Sequence, residues 1–113
     1  MKLASIGQFE QLILLAVMLL EPDAYGMEIY SKVCELADRE MALGAIYVAL
    51  GRLQRKRYVA SKISLRSVHG GKPRRYYRLL APGARALQES VEIATRISQA
   101  FWKAQKVRPS SAP

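Results

Sequence analysis

The sequence holds one cysteine, Cys34, one histidine, His69, and one tryptophan, Trp102. A lone cysteine excludes an internal disulfide framework, so this 113-residue chain must be held together by a hydrophobic core. It also fits a reducing compartment, and the expected location is the cytoplasm. Cys34 has Glu35 beside it and lies in an apolar helical stretch, so it reads as a core thiol. A single histidine without a cysteine or carboxylate cluster cannot make a metal site, and no metal or other cofactor is expected. His69 reads as solvent-exposed in a turn, within reach of phosphate. Catalytic parts are missing too: there is no nucleophile elbow, no phosphate loop and no clustered Cys/His. The acid pairs Asp23/Glu28 and Asp38/Glu40 read as helix-end residues rather than catalysts. No enzyme is expected.

Long hydrophobic runs are also scarce. The longest, Leu12 to Leu20, has nine residues, whereas a membrane span needs about 20. A secretory leader is not expected: Gln8, Glu10 and Gln11 interrupt its onset, and Glu21-Pro22-Asp23 stands where a small-residue cleavage site would follow.

The most telling absence is of acid. Residues 52–88 contain eleven Lys/Arg and no Asp or Glu, whereas residues 1–51 carry seven acids against Lys2, Lys32 and Arg39. The formal net charge of +9 is therefore concentrated in the middle of the chain. Such segregation makes a one-sided positive field, suited to a polyanion.

The periodicities predict a mainly α fold with a small β hairpin. A first helix is expected over about Gly7–Leu20, with Phe9, Leu12, Ile13, Ala16, Val17 and Leu20 on one face. Leu14, Leu15, Met18 and Leu19 make its opposite side apolar as well, which calls for cover by a second subunit. Asp23 is expected to cap a second helix over about Tyr25–Leu36, its buried stripe being Tyr25, Ile29, Val33 and Leu36. Ala37-Asp38-Arg39-Glu40 reads as a polar turn and Met41-Ala42-Leu43 as a short strand. A third helix, about Gly44–Lys56, turns Ile46, Leu50 and Leu53 inward. Ala45, Val48, Arg52, Arg55 and Lys56 point outward, with Tyr47 on the boundary.

After Arg57 the period changes from 3.6 to 2. Val59 to Leu65 reads as a strand, Gly70-Gly71-Lys72-Pro73 as a turn, and Arg74 to Leu80 as the returning strand. Tyr76 and Tyr77 read as hairpin packing. Pro82 suits the start of a fourth helix reaching about Lys106, with Leu87, Val91, Ala94, Ile97, Phe101 and Ala104 at three- and four-residue steps. That stripe is longer than a small domain buries alone, and it is read as a dimer seam. Residues 1–81 are thus expected to form a winged helix-turn-helix domain, 82–107 a dimerisation helix, and 108–113 a disordered tail. The interface residues expected are Leu12, Leu15, Leu19, Leu87, Val91, Ala94, Ile97 and Phe101.

This order of elements suits double-stranded DNA. A helix fits the major groove, its N-terminal residues meeting base edges. Gly44 and Ala45 allow close backbone approach, and Tyr47 and Val48 lie in the same turns. Arg52, Arg55 and Lys56 would grip the flanking backbone, and Lys72, Arg74 and Arg75 of the wing a neighbouring phosphate run. Two rival readings are an RNA-binding or ribosome-associated basic protein and a winged adaptor that binds protein. The first lacks evident solvent-facing aromatics, and the second has no need of an acid-free basic segment.

Three blocks resemble the PadR family of transcriptional regulators: Tyr25-Gly26-Met27-Glu28-Ile29, the run Gly44-Ala45-Ile46-Tyr47-Val48-Ala49-Leu50-Gly51-Arg52-Leu53, and Gly71-Lys72-Pro73-Arg74-Arg75-Tyr76-Tyr77-Arg78-Leu79. The resemblance covers about residues 10–90 and is similar to the short-tailed members. It implies a cytoplasmic repressor, dimeric through helices four and one, on a palindromic operator. It also implies that a small hydrophobic or planar effector can bind at the dimer interface, where relatives use an aromatic of helix four. The matching position here is near Ala94, and Trp102 lies about two turns later, read as dimer packing first and as a ligand platform second. The chain departs from the family pattern at Ala42, where Ser or Thr is frequent, at Val48 for Pro, at Arg57 for Gly, and at Leu80 for Thr. Arg57 is therefore expected in a left-handed conformation that glycine adopts more easily.

Overall fold

The computed structural model describes residues 6–64 and 73–108. Four helices and a two-stranded antiparallel hairpin follow one another as α1 (Gln8–Leu20), α2 (Gly26–Ala37), α3 (Leu43–Arg55), β1 (Val59–Ser64), β2 (Arg74–Leu79) and α4 (Ala81–Val107). The fold is mainly helical, as the periodicities predict, and the helix boundaries agree to within about a residue. Leu65, His69, Gly70, Gly71, Lys72 and residues 109–113 lie outside the described residues, and with them the expected hairpin turn and most of the tail.

Helix α1 runs through the centre of the core. Ile13, Leu14, Ala16 and Val17 are fully buried and meet Ile29 and Val33 of α2, Ile46, Ala49, Leu50 and Leu53 of α3, and Val59 of β1. Removing each large aliphatic side chain from water contributes roughly 1.5–3 kcal/mol. Leu14 was expected on the far side of α1 but lies inside, because α1 is packed by α2, α3, β2 and α4 together and its buried arc is correspondingly wide. Met18 and Leu19 remain exposed.

The α1–α2 connection departs further from expectation. Asp23 does not cap α2; the N-cap is Tyr25, in extended conformation and without a side-chain cap bond. The connection is instead spent on the outer edge of β2. Tyr77 N–H donates to the Ala24 carbonyl at 2.8 Å, Tyr25 bridges Tyr76, and Leu79 N–H donates to Glu21 Oε1 at 3.0 Å. Tyr25 thus adds an isolated bridge to the hairpin edge, whereas Met41-Ala42-Leu43 was the stretch expected to be a short strand. Those three residues form no strand, and Leu43 opens α3. Leu36 lies at the rim, 37% exposed, rather than in the buried stripe of α2.

Two turns need left-handed residues. Asp38 ends α2 at φ 54°. Arg57 follows α3 at φ 62°, as expected. Its N–H donates to the Gln54 carbonyl at 3.0 Å and the Tyr58 N–H to the Leu53 carbonyl at 2.9 Å. This pair of bonds is a Schellman closure, which satisfies the helix's last carbonyls and launches β1 back across the body.

The first turns of α4 are anchored by Gly83, Ala86, Leu87 and Ser90, all buried. Leu87 is only 3% exposed and belongs to the chain's own core, so it is not open to the intersubunit seam expected of it. The face uncovers one turn later. Val91, Ile97, Phe101 and Trp102 are 41%, 63%, 53% and 60% exposed. The free part of α4 stretches the molecule to 60 × 32 × 20 Å.

Candidate nucleic-acid interface

Helix α3 presents one face to the core and the opposite face to solvent. Ile46, Ala49, Leu50 and Leu53 have no exposed surface, whereas Gly44, Ala45, Tyr47, Val48, Arg52, Arg55 and Lys56 are all exposed. Val48, at 62%, has no structural reason to be apolar. At Gly44 a Cβ would meet open space, so glycine is not required there by packing. The N-cap Ala42 makes no side-chain cap bond, so no side chain closes the positive end of the α3 dipole.

The outward residues sort into three strips. Gly44, Val48, Gly51 and Arg55 recur at three- and four-residue steps along the centre, directly opposite the core. Gly51 was not singled out from the sequence; its spacing from Val48 and Arg55 was the available signal. Arg52 and Lys56 lie on the flank next to α1. There Glu10, an almost buried carboxylate, receives Lys56 Nζ at 3.3 Å and faces Arg52 Nε at 3.7 Å. Sequence reading gave Glu10 no role, since its partners stand more than 40 residues away. On the other flank Gln54 faces the wing. Arg75 Nη1 donates to Ser61 Oγ at 2.9 Å, and Ser61 Oγ donates to Gln54 Oε1 at 3.0 Å.

The wing cations differ among themselves. Arg75 and Arg78 are exposed, whereas Arg74 is half-buried with its guanidinium 4.2 Å from the ring centroid of Tyr25. That stacking uses one face of Arg74 inside the protein. Tyr25 also packs on Tyr76 with centroids 5.8 Å apart and donates to Glu28 Oε1 at 3.2 Å. Desolvation and the hydrogen bond to Glu28 push its phenol up, and burial does the same for Tyr77. Both therefore stay neutral at physiological pH and place no anion beside the cations. Between the start of α2, Tyr47 and β2 lies an open cleft of about 470 Å³, bordered by Arg74 and Arg75.

Cys34 is half-buried with a free thiol, and the Tyr30 phenol is pushed up chiefly by its hydrogen bond to that thiol. Among the described residues no group of His, Cys, Asp and Glu could hold a metal ion. No helix there is long and apolar enough to cross a membrane. Phe101 and Trp102 meet edge to face at 4.8 Å on the free part of α4.

The fold recurs among solved structures. A PadR family transcription regulator from hypervirulent Clostridium difficile R20291 is 28% identical, with a TM-score of 0.69 over 88% of this chain and 99% of that one. A PadR-like transcription factor from Bacteroides fragilis is 25% identical, with a TM-score of 0.66 over 87% and 90%. A PadR-like regulator from Bacillus cereus shares the fold at a TM-score of 0.73 and 22% identity, over 88% and 92%. No curated protein sequence matches significantly. The sequence pattern of the transcriptional regulator PadR-like family matches residues 14–89, from the centre of α1 through the exposed α3 face and the wing into α4. The chain belongs to that family of DNA-binding transcriptional regulators, which are not enzymes.

Proposed function

We propose that the protein is a repressor that binds a palindromic operator as a homodimer, reading bases with α3 and holding backbone with the wing. The observation that carries this is the central strip of α3. Gly44, Val48 and Arg55 are exposed along it with Gly51 half-buried between them, beside a 37-residue stretch, 52–88, without a single acid. A helix start with small residues can approach base edges, and Val48 offers an apolar contact for a thymine methyl. Arg55 ends the strip where the groove wall begins, and Arg75 borders the cleft through which the backbone would pass. Lys72 is assigned to the wing tip on sequence grounds. Pairing is supported by the uncovered stripe of Val91, Ala94, Ile97 and Phe101 on α4, joined by Leu19 of α1. Leu12 and Leu15, packed partly against the core, edge the same helix. Two-fold pairing of a reading helix matches a palindromic site with half-sites one helical turn apart. A small hydrophobic or planar effector at that interface is the regulatory arm of the proposal, with Trp102 as dimer packing beside it.

Selecting bound sequences from a random duplex pool tests the reading. Recovery of an inverted repeat supports it. Recovery of no enriched sequence, with tight binding to structured RNA instead, overturns it.

A further inference from the structure

The ion-pair cluster at the end of α3 has a charge balance that a simple grip on DNA would not need. Arg52 and Lys56 are exposed, with 44% and 41% of their side chains open, yet both converge on the Glu10 carboxylate, whose own side chain is only 11% open. Glu10 sits in the first turn of α1, the helix that runs through the core, so it cannot swing away with them. A surface pair is ordinarily worth little to stability, since solvent screens it. Here the core contacts of α1 supply the anchoring, and one fixed anion faces two cations.

We propose that Glu10 is a positioning residue that limits the phosphate grip of the protein by holding Arg52 and Lys56 against α1. The inference rests on the reading that α3 faces DNA. An anion beside the two cations lowers the positive potential on that flank by one charge per subunit. It also draws the ammonium and guanidinium towards the body rather than towards a passing strand. Sequence-independent affinity rises with the number of phosphates neutralised, each adding about 0.9 to the slope of log K against log salt. Glu10 thus keeps background binding weak enough for the protein to leave wrong sites, while the central strip of α3 retains the choice of sequence.

The test is the salt dependence of binding by Glu10→Gln, the isosteric variant without charge. The expected result is a slope steeper by about 2 for a dimer, one more phosphate neutralised per subunit. Affinity for random duplex should rise about fivefold or more at low salt. Operator affinity should rise by a similar factor, leaving the operator-to-random ratio unchanged. Adding Lys56→Gln restores the wild-type charge and should return the slope to its wild-type value. A merely structural role would instead lower operator affinity and leave the slope alone. Thermal unfolding of Glu10→Gln shows whether it is folded. If it is not, Arg52→Gln and Lys56→Gln combined in the wild-type background carry the test: with one of the two cations already offset by Glu10, losing both should make the slope shallower by only about 0.9 per subunit, one phosphate rather than two. An unchanged or shallower slope for folded Glu10→Gln overturns the proposal, and so does a slope shallower by about 1.8 per subunit when Arg52 and Lys56 are both replaced by Gln. A wild-type protein with no salt-dependent duplex binding would sink the DNA reading itself, a separate outcome.

Discussion

The Cα of Gly26 lies against the ring of Tyr47: a Cβ built on Gly26 would stand 2.7 Å from Tyr47 Cε1 and 2.8 Å from Cζ, with the phenol oxygen nearer still. The start of α2 and the middle of α3 therefore meet through a missing side chain, and Tyr47 owes its position to that gap. Gly26→Ala should displace the ring and cost about 1–3 kcal/mol, as overpacking does. Adding Tyr47→Ala should recover most of the loss, because the clash is with a side chain. Chemical denaturation of the two variants checks this, and an equal loss in the double variant contradicts it.

Gly83 makes a harder contact. A Cβ there would run into the backbone carbonyl of Tyr58, 2.9 Å from its carbon, where α4 sits down on the start of the hairpin. No rotamer change relieves a clash with backbone. Gly83→Ala should therefore cost more than Gly26→Ala, toward about 3 kcal/mol, and no side-chain truncation should rescue it. A melting temperature within about a degree of wild type would contradict this packing.

Arg57 occupies a left-handed position at φ 62° in which an L side chain costs roughly 1–2 kcal/mol. Arg57→Gly should raise stability by up to about 1 kcal/mol, since glycine gives back part of the gain as unfolded-state entropy. If the exposed cation serves the DNA face, the same change should weaken binding to every duplex alike and make the salt slope shallower by about 1 per subunit. Stability and affinity then move in opposite directions, which calorimetry and a salt titration read separately. A gain in both would leave the strain without a functional reason.

Reading and holding should separate by mutation. Val48 is 62% exposed, so Val48→Glu should leave the melting temperature almost unchanged while abolishing preference for the operator. Removing a base contact costs roughly 1–3 kcal/mol of specific binding. Arg75→Ala removes a wing cation and its bond to Ser61, and should cut operator and random binding by a similar factor. Arg75→Ala erasing the preference while Val48→Glu preserves it would move the reading element from α3 to the wing.

The free half of α4 should not exist uncovered in solution. Val91→Asp and Ile97→Asp place charge on the exposed stripe, where neither residue supports the protomer's own core. Both together should yield folded monomers with little DNA affinity. Leu87→Ala should instead unfold the protomer, costing about 2–5 kcal/mol, because Leu87 is buried within it. Sedimentation distinguishes the two classes. A stable wild-type monomer at micromolar concentration would refute the dimer.

The helices, the hairpin and the outward face of α3 were legible in the sequence, because each rests on a local period. Ile46, Leu50 and Leu53 repeat at helical spacing, so Val48 and Arg55 must point away whatever the rest of the chain does. The left-handed turn at Arg57 came from the resemblance, which places glycine at that position. Relationships between distant segments were not legible, since nothing in a period of 3.6 or 2 says which element lies alongside. Leu14 and Leu87 were assigned to outer faces and are core residues, since α1 is packed by α2, α3, β2 and α4 together. Met41 to Leu43, read as a short strand, form none, and Tyr25 bridges the hairpin instead, because the edge of β2 passes the start of α2 and its open N–H groups need acceptors there. Glu10 met Arg52 and Lys56 only when α1 was laid across the end of α3. Local periodicity determined which residues face outward; tertiary packing decided which of those outward charges are free.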